Sequence, residues 1–173
     1  AAEGFQSVAI TLDAGALDPF QEPASLARQI DEVRQNLDRA GLARVIETGA
    51  RYLLNPRLKH DPTLLDADPA RRAVRIDFLR RSLDVAGALG ARCVSLWSGQ
   101  LRDSIGPDEA MERLTQALGP LLKHAENSHV TLAFEPEPGM LVDTMARFDE
   151  LLQRLGPSPI GLTLDLGHLH CLG

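Results

Sequence analysis

Apolar and polar positions along this chain follow two rhythms that take turns. Strict alternation runs through Ser7–Asp13, where Val8, Ile10 and Leu12 interleave with Ala9, Thr11 and Asp13, and it predicts a β-strand. Leu26, Ile30, Val33 and Leu37 then recur at helical spacing within Ser25–Ala40, and Gly41 suits the position just past a helix end. The same pair of signals repeats. Strands are predicted over Leu42–Thr48, Arg92–Trp97, Val130–Glu135 and Ile160–Asp165. Asp68-Pro69 opens a helix that carries Val74, Phe78, Val85 and Leu89 and closes at Gly90. Pro107-Asp108-Glu109 opens another, with Met111, Leu114, Leu118, Leu121 and Leu122 on its apolar face, and Gly119-Pro120 is expected to kink or split it. A last helix starts at Asp143-Thr144, carries Met145, Phe148, Leu151, Leu152 and Leu155, and stops at Gly156-Pro157. After Asp165 the chain reads as a turn.

Strands separated by helices predict βα units and a parallel sheet. A sheet covered on both faces would read as nearly continuous apolar runs. Here one face is large and apolar (Ile10, Leu12, Val94, Leu96, Leu132, Phe134, Leu162, Leu164), and the other is small or polar (Thr11, Asp13, Ser95, Ala133, Glu135, Thr163, Asp165). The second strand departs from this, since Arg44 falls on the apolar face. The pattern predicts an α/β fold, a (β/α)8 TIM barrel with its apolar face toward the helices and a narrow interior. Such a barrel uses eight strands and about 250 residues. The 173 residues supply five strands. The expectation is therefore an incomplete barrel of about five βα units, residues 1–173 forming one partial TIM-barrel domain that lacks roughly the first unit and the last two.

Composition narrows the function classes. A net charge of −6 disfavours a general phosphate-backbone binder, and 4% aromatics leave little for base stacking. Cys93 and Cys171 form no CxxC and read as reduced thiols of a cytoplasmic protein. No apolar run is long enough for a membrane span, and the N-terminus lacks a signal-peptide layout.

The candidate chemistry gathers in the last third. Glu135 and Asp165 end two successive strands on the inward side, and His168 follows three residues after Asp165. Hard oxygen donors converging there suit a divalent cation; loop carboxylates that cap helices or meet arginines are the plainer alternative. His168 can reach the same ion, a second one or a substrate hydroxyl, or hydrogen-bond a loop carbonyl. Glu137, held between two prolines, either touches substrate or is exposed. His170 and Cys171 read as structural. Asp13 and Glu47 face the same mouth, and Glu47 is the better substrate contact or base. The long connection from Gly49 to Asp68 carries Arg51, Tyr52, Asn55, Arg57, Lys59 and His60. It is either a lid gripping a polar substrate or a solvated loop. Trp97 is either a pocket wall or a core residue.

The phrases L-A-F-E-P-E-P-G, T-L-D-L-G-H and L-W-S-G resemble the xylose-isomerase-like barrel superfamily of sugar and sugar-phosphate isomerases, epimerases and endonuclease-IV-type enzymes. The resemblance implies that Glu135 and Asp165 hold a divalent metal, with Mn²⁺ first and Mg²⁺, Co²⁺ or Zn²⁺ as alternatives. It implies a further His and Glu on strands beyond Gly173. It makes His168 a substrate ligand in the epimerases or a second-metal ligand in the endonucleases. The endonuclease branch places a metal-binding His where this sequence has Glu47-Thr48-Gly49 and Trp97-Ser98-Gly99, and no histidine stands at either strand end.

The implied activity is a metal-dependent isomerase or epimerase acting on a sugar or sugar-like polyol, with proton transfer next to a carbonyl and Glu135 as the catalytic carboxylate. Glu47, Glu137, Trp97, Lys59, His60 and His168 are the expected substrate contacts. A dehydratase or lyase, an endonuclease-IV-type phosphodiesterase and a non-catalytic barrel are the alternatives. Expected partners are the small-molecule substrate and a further copy of the chain, with no nucleic acid and no membrane. Residues 1–173 alone are expected to hold half a metal site and to be inactive.

Overall fold

A computed structural model describes residues 4–172. Five parallel strands, β1 (Ser7–Thr11), β2 (Ala43–Glu47), β3 (Cys93–Leu96), β4 (Thr131–Phe134) and β5 (Gly161–Leu162), lie side by side in chain order. Between them run α1 (Pro23–Ala40), α2 (Pro69–Leu89), α3 (Pro107–Asn127) and α4 (Met145–Leu155), each packed on the next. A doubly wound sheet reverses its strand order at a switch point. An unbroken β1-to-β5 order with successive helices in contact instead winds one way, as a barrel wall does.

Register explains the alternation. Ile10, Ile46, Val94 and Leu132 sit opposite one another, and Leu96 and Phe134 form the next outward layer beside Leu162. Most of this face is fully buried against the helices, with Ile46, Val94, Leu132 and Phe134 at 0% exposure. The inward layer is Thr11, Glu47, Ser95, Ala133 and Gly161. Arg44 resolves its own anomaly. It lies at the start of β2, where its Nε donates to the Leu89 carbonyl at 2.9 Å and its head pairs with Asp38 at 2.5 Å. The cation thus closes the C-terminal end of α2.

The helix ends follow the expected chemistry with some shifts. Asp68 caps α2 by accepting from Ala70 N at 2.8 Å, and Thr144 caps α4 by accepting from Arg147 N at 3.3 Å. α1 starts earlier than its spacing predicts, because Glu22 accepts from both Ala24 N and Ser25 N ahead of Pro23. α3 does not split at Pro120: the helix runs through to Asn127. Pro120 faces solvent, so the carbonyl it leaves unpaired can meet water, while buried Leu118, Leu121 and Leu122 hold the helix to the sheet. On α2 the buried residues are Arg75, Phe78, Leu79, Ser82, Leu83, Val85, Ala86 and Leu89, and Val74, expected inside, is 44% exposed. Met145, at the first position of α4, is likewise exposed at 38%.

The stretch after Asp165 is not a turn. It forms α5 (Leu166–Leu172), because Asp165 Oδ1 accepts from Gly167 N at 2.7 Å and His168 N at 3.1 Å and caps the helix. His170 is exposed there, and the Cys171 side chain lies outside the described residues. Cys93 is a free thiol. No helix among the described residues is long and apolar enough to cross a membrane.

Candidate functional site

The C-terminal strand ends gather the carboxylates that the alternation points inward. Leu132 and Phe134 of β4 turn out to the core, so Ala133 and Glu135 turn in. The Glu135 amide still donates to Leu96 O at 2.8 Å, which extends the ladder one residue past β4 and fixes the carboxylate over the mouth. Thr163 N donates to Phe134 O at 2.8 Å and holds the segment before Asp165 alongside. The α5 cap takes one oxygen of Asp165 and leaves Oδ2 facing His168 Nε2 at 3.7 Å. His168 Nδ1 lies 3.8 Å from Glu135 Oε1. One ligand atom from each of Glu135, Asp165 and His168 falls within 4.8 Å of the others.

This donor set fits a divalent ion. It offers two carboxylates and an imidazole, the mixture that suits Mn²⁺ or Zn²⁺. His168 Nδ1 is buried without a hydrogen-bond partner among the described residues, and a buried imidazole nitrogen left so is costly unless something else satisfies it. Electrostatics agree. Burial pushes the Glu135 carboxyl above the usual carboxylate range, Glu137 and Asp165 push it further, and His168 and Ser95 oppose them. The backbone amide of His168, then that of Gly167, holds Asp165 below its usual range.

Glu47 sits in the same inward layer as Ser95 and Ala133, one layer below Glu135. Burial first, then the charges of Glu135 and Glu137, push its carboxyl up to about 7. Glu137 is near enough for its charge to act on both carboxylates, and its backbone amide donates to Val142 O at 3.2 Å. Ser95, which sequence reasoning placed on the inward face without a role, donates to Thr163 Oγ1 at 2.9 Å and lies 3.5 Å from Glu135 Oε2. Its signal in the sequence was a hydroxyl two residues before Trp97 on the small, polar face. Asp13 serves its own turn, accepting from Gly15 N at 2.8 Å.

Because folding raises the Glu47 pKa above its ordinary value near 4.5, its contribution to stability is complete below that pH. It is lost as pH rises through about 7. A carbon-detected NMR titration of metal-free protein should find this midpoint. Adding a diamagnetic divalent ion should move it down, since positive charge beside Glu135 offsets the repulsion.

The long connection is clamped rather than loose. Asp61, 3% exposed, receives Arg71, Arg102 at 3.0 Å and Asn55 Nδ2 at 3.2 Å. Leu64 and Leu65 are buried beneath it. The loop carries His60 to the rim, where its Nδ1 meets the Gly49 carbonyl and its ring stands edge-on to Trp97 at 5.7 Å. A histidine thus reaches this rim in space although neither strand end encodes one. It lies outside the Glu135–Asp165–His168 group. Lys59 is exposed on the same loop and forms no ion pair among the described residues. Trp97 is 7% exposed and packs against His60 and Arg75.

Among solved structures the chain is similar to an L-ribulose 3-epimerase, with TM-score 0.76 and 22% identity over 98% of this chain and 53% of that one. It is similar to the D-allulose 3-epimerase of Methylomonas sp., with TM-score 0.74 and 20% identity over 98% and 55%. It is also similar to the 3-keto-D-glucoside 4-epimerase of E. coli, with TM-score 0.69 and 15% identity over 84% and 57%. The chain spans little more than half the length of these enzymes, and identities this low carry the fold alone. A comparison with curated proteins gives no match. The profile described as "Xylose isomerase-like TIM barrel" matches residues 1–173, so the chain belongs to the xylose isomerase-like TIM barrel family.

Proposed function

We propose that the full-length protein is a metal-dependent isomerase or epimerase of a sugar or sugar-like polyol. The observation that carries this reading is the convergence of Glu135, Asp165 and His168 within 4.8 Å, with a buried His168 nitrogen left unpartnered. Glu135 and Asp165 would hold the ion, Mn²⁺ first, and the ion supplies positive charge beside a substrate carbonyl. The residues do the rest. Glu135, its pKa raised by burial, moves the proton at the carbon next to that carbonyl. His168 bonds a substrate oxygen. Glu47, below Glu135, and Glu137, beside it, accept hydrogen bonds from substrate hydroxyls. His60 and Lys59 approach from the loop, and Trp97 backs the wall behind His60. Relatives of this fold include an allulose 3-epimerase solved with D-allulose and a psicose 3-epimerase solved in the presence of D-fructose, which supports a ketose as the first substrate to try.

The test is solvent deuterium exchange. Full-length protein with Mn²⁺ should wash deuterium into a ketose or keto-sugar at the carbon next to its carbonyl, and chelation should stop it. No exchange across a panel of such sugars, together with Mn²⁺-dependent cleavage of abasic-site DNA that His168→Ala removes, would replace this reading with the phosphodiesterase one.

A further inference from the structure

Arg75 occupies a position on α2 where the helical stripe calls for an apolar side chain. It is 1% exposed, and burial lowers its pKa to about 9. It forms no ion pair among the described residues, and its NH1 has no hydrogen-bond partner there. A buried, unpaired cation is unfavourable, and an apolar side chain of similar volume usually serves a core at least as well. What Arg75 does that such a residue would not is set by its contacts. Its guanidinium lies over the Trp97 ring at 4.7 Å and the Phe78 ring at 5.3 Å, and NH2 donates to the Thr48 carbonyl at 2.8 Å. Thr48 follows Glu47 directly, and its hydroxyl donates to the Ser95 carbonyl at 2.6 Å. Trp97 in turn meets the ring of His60. One planar cation therefore ties the ends of β2 and β3 to the loop that carries His60.

We propose that Arg75 is a positioning residue of the mouth, fixing the plane of Trp97 and the carbonyl of Thr48, and with them the rim that presents Glu47 and His60. Only the kinetic arm of this proposal rests on the isomerase reading. Lysine cannot take the role, because it lacks the flat fork that stacks on a ring while donating sideways.

The experiment uses full-length protein labelled with 5-fluorotryptophan, the Trp97 resonance being assigned by its loss in Trp97→Phe. In Arg75→Met, Mn²⁺ affinity should stay within about twofold of the parent, because Glu135 and Asp165 share no partner with Arg75. The Trp97 fluorine resonance should move and broaden. KM should rise about tenfold with a smaller change in kcat, as expected when positioning rather than chemistry is lost. A lowered melting temperature with an unmoved, sharp Trp97 resonance and unchanged KM would overturn the proposal and leave Arg75 as ordinary core. If Arg75→Met does not fold, Arg75→Lys takes its place with the same expectation, and a parent-like resonance there overturns the proposal. If the parent shows no sugar activity at all, the isomerase reading has failed, and the fluorine resonance alone decides for Arg75.

Discussion

Glu135→Gln should lower metal-dependent proton exchange by about 10²–10⁴-fold, the range for losing a positioned acid–base group, while leaving the fold intact or firmer. The second half follows from the sign of its pKa shift. Burial and the neighbouring carboxylates raise the folded pKa, so the group's favourable contribution is present at low pH and lost as pH rises through that value. Above it, the neutral amide removes a charge that folding disfavours. Without metal, the Gln variant should then melt at or above the parent at pH 8. Asp165→Asn makes the complementary test. An asparagine oxygen still caps α5 at Gly167 N and His168 N, so the helix survives while the ligand charge goes. Mn²⁺ binding should weaken about a hundredfold or more, at or beyond the range seen for groups that only support a ligand. Calorimetry on both variants checks the pair.

Gly99→Ala should be the most damaging small substitution in the described chain. Gly99 has φ +93, and an added Cβ would lie 2.4 Å from Thr63 Cβ and 2.6 Å from its Oγ1. Backbone strain and overpacking at one site together cost about 3 kcal/mol. The damage would fall on the site, since Thr63 belongs to the clamped loop and Gly99 closes the β3 rim beyond Trp97. Gly139→Ala is the control. Its φ is +81, yet the nearest atom, on Gln100, is 3.9 Å away. It should lose only the backbone part, about 1 kcal/mol. Chemical denaturation of both variants separates the two contributions. Equal losses would mean that Thr63 yields without cost.

The wall of the barrel was legible because it rests on period-2 alternation, which register fixes and burial enforces. Leu132 and Phe134 pointing out place Glu135 pointing in. The caps at Asp68 and Thr144 were equally local. What the sequence hid depended on phase or on distance. Val74 and Arg75 differ by one helical step, and a charged residue hides the stripe that continues through Phe78, Leu79 and Leu83. The α5 cap was readable in principle, since Asp165 precedes a helix-compatible run, but a glycine and two histidines resemble a turn. Pro120 looked like a break because its backbone defect is local and the burial that overrides it is not. The clamp of Asp61 by Arg71 and Arg102 joins residues 10 and 41 positions apart, and no spacing rule announces it. The raised pKa of Glu47 likewise exists only once the fold buries it and brings Glu135 and Glu137 near it.

Anomalous diffraction at the manganese edge, from crystals of the full-length protein grown with Mn²⁺, tests the central claim most directly. The account predicts a peak within coordination distance of carboxylate oxygens of both Glu135 and Asp165, beside the His168 ring. A peak elsewhere with these carboxylates unliganded, or none at a Mn²⁺ concentration that supports exchange, would contradict it.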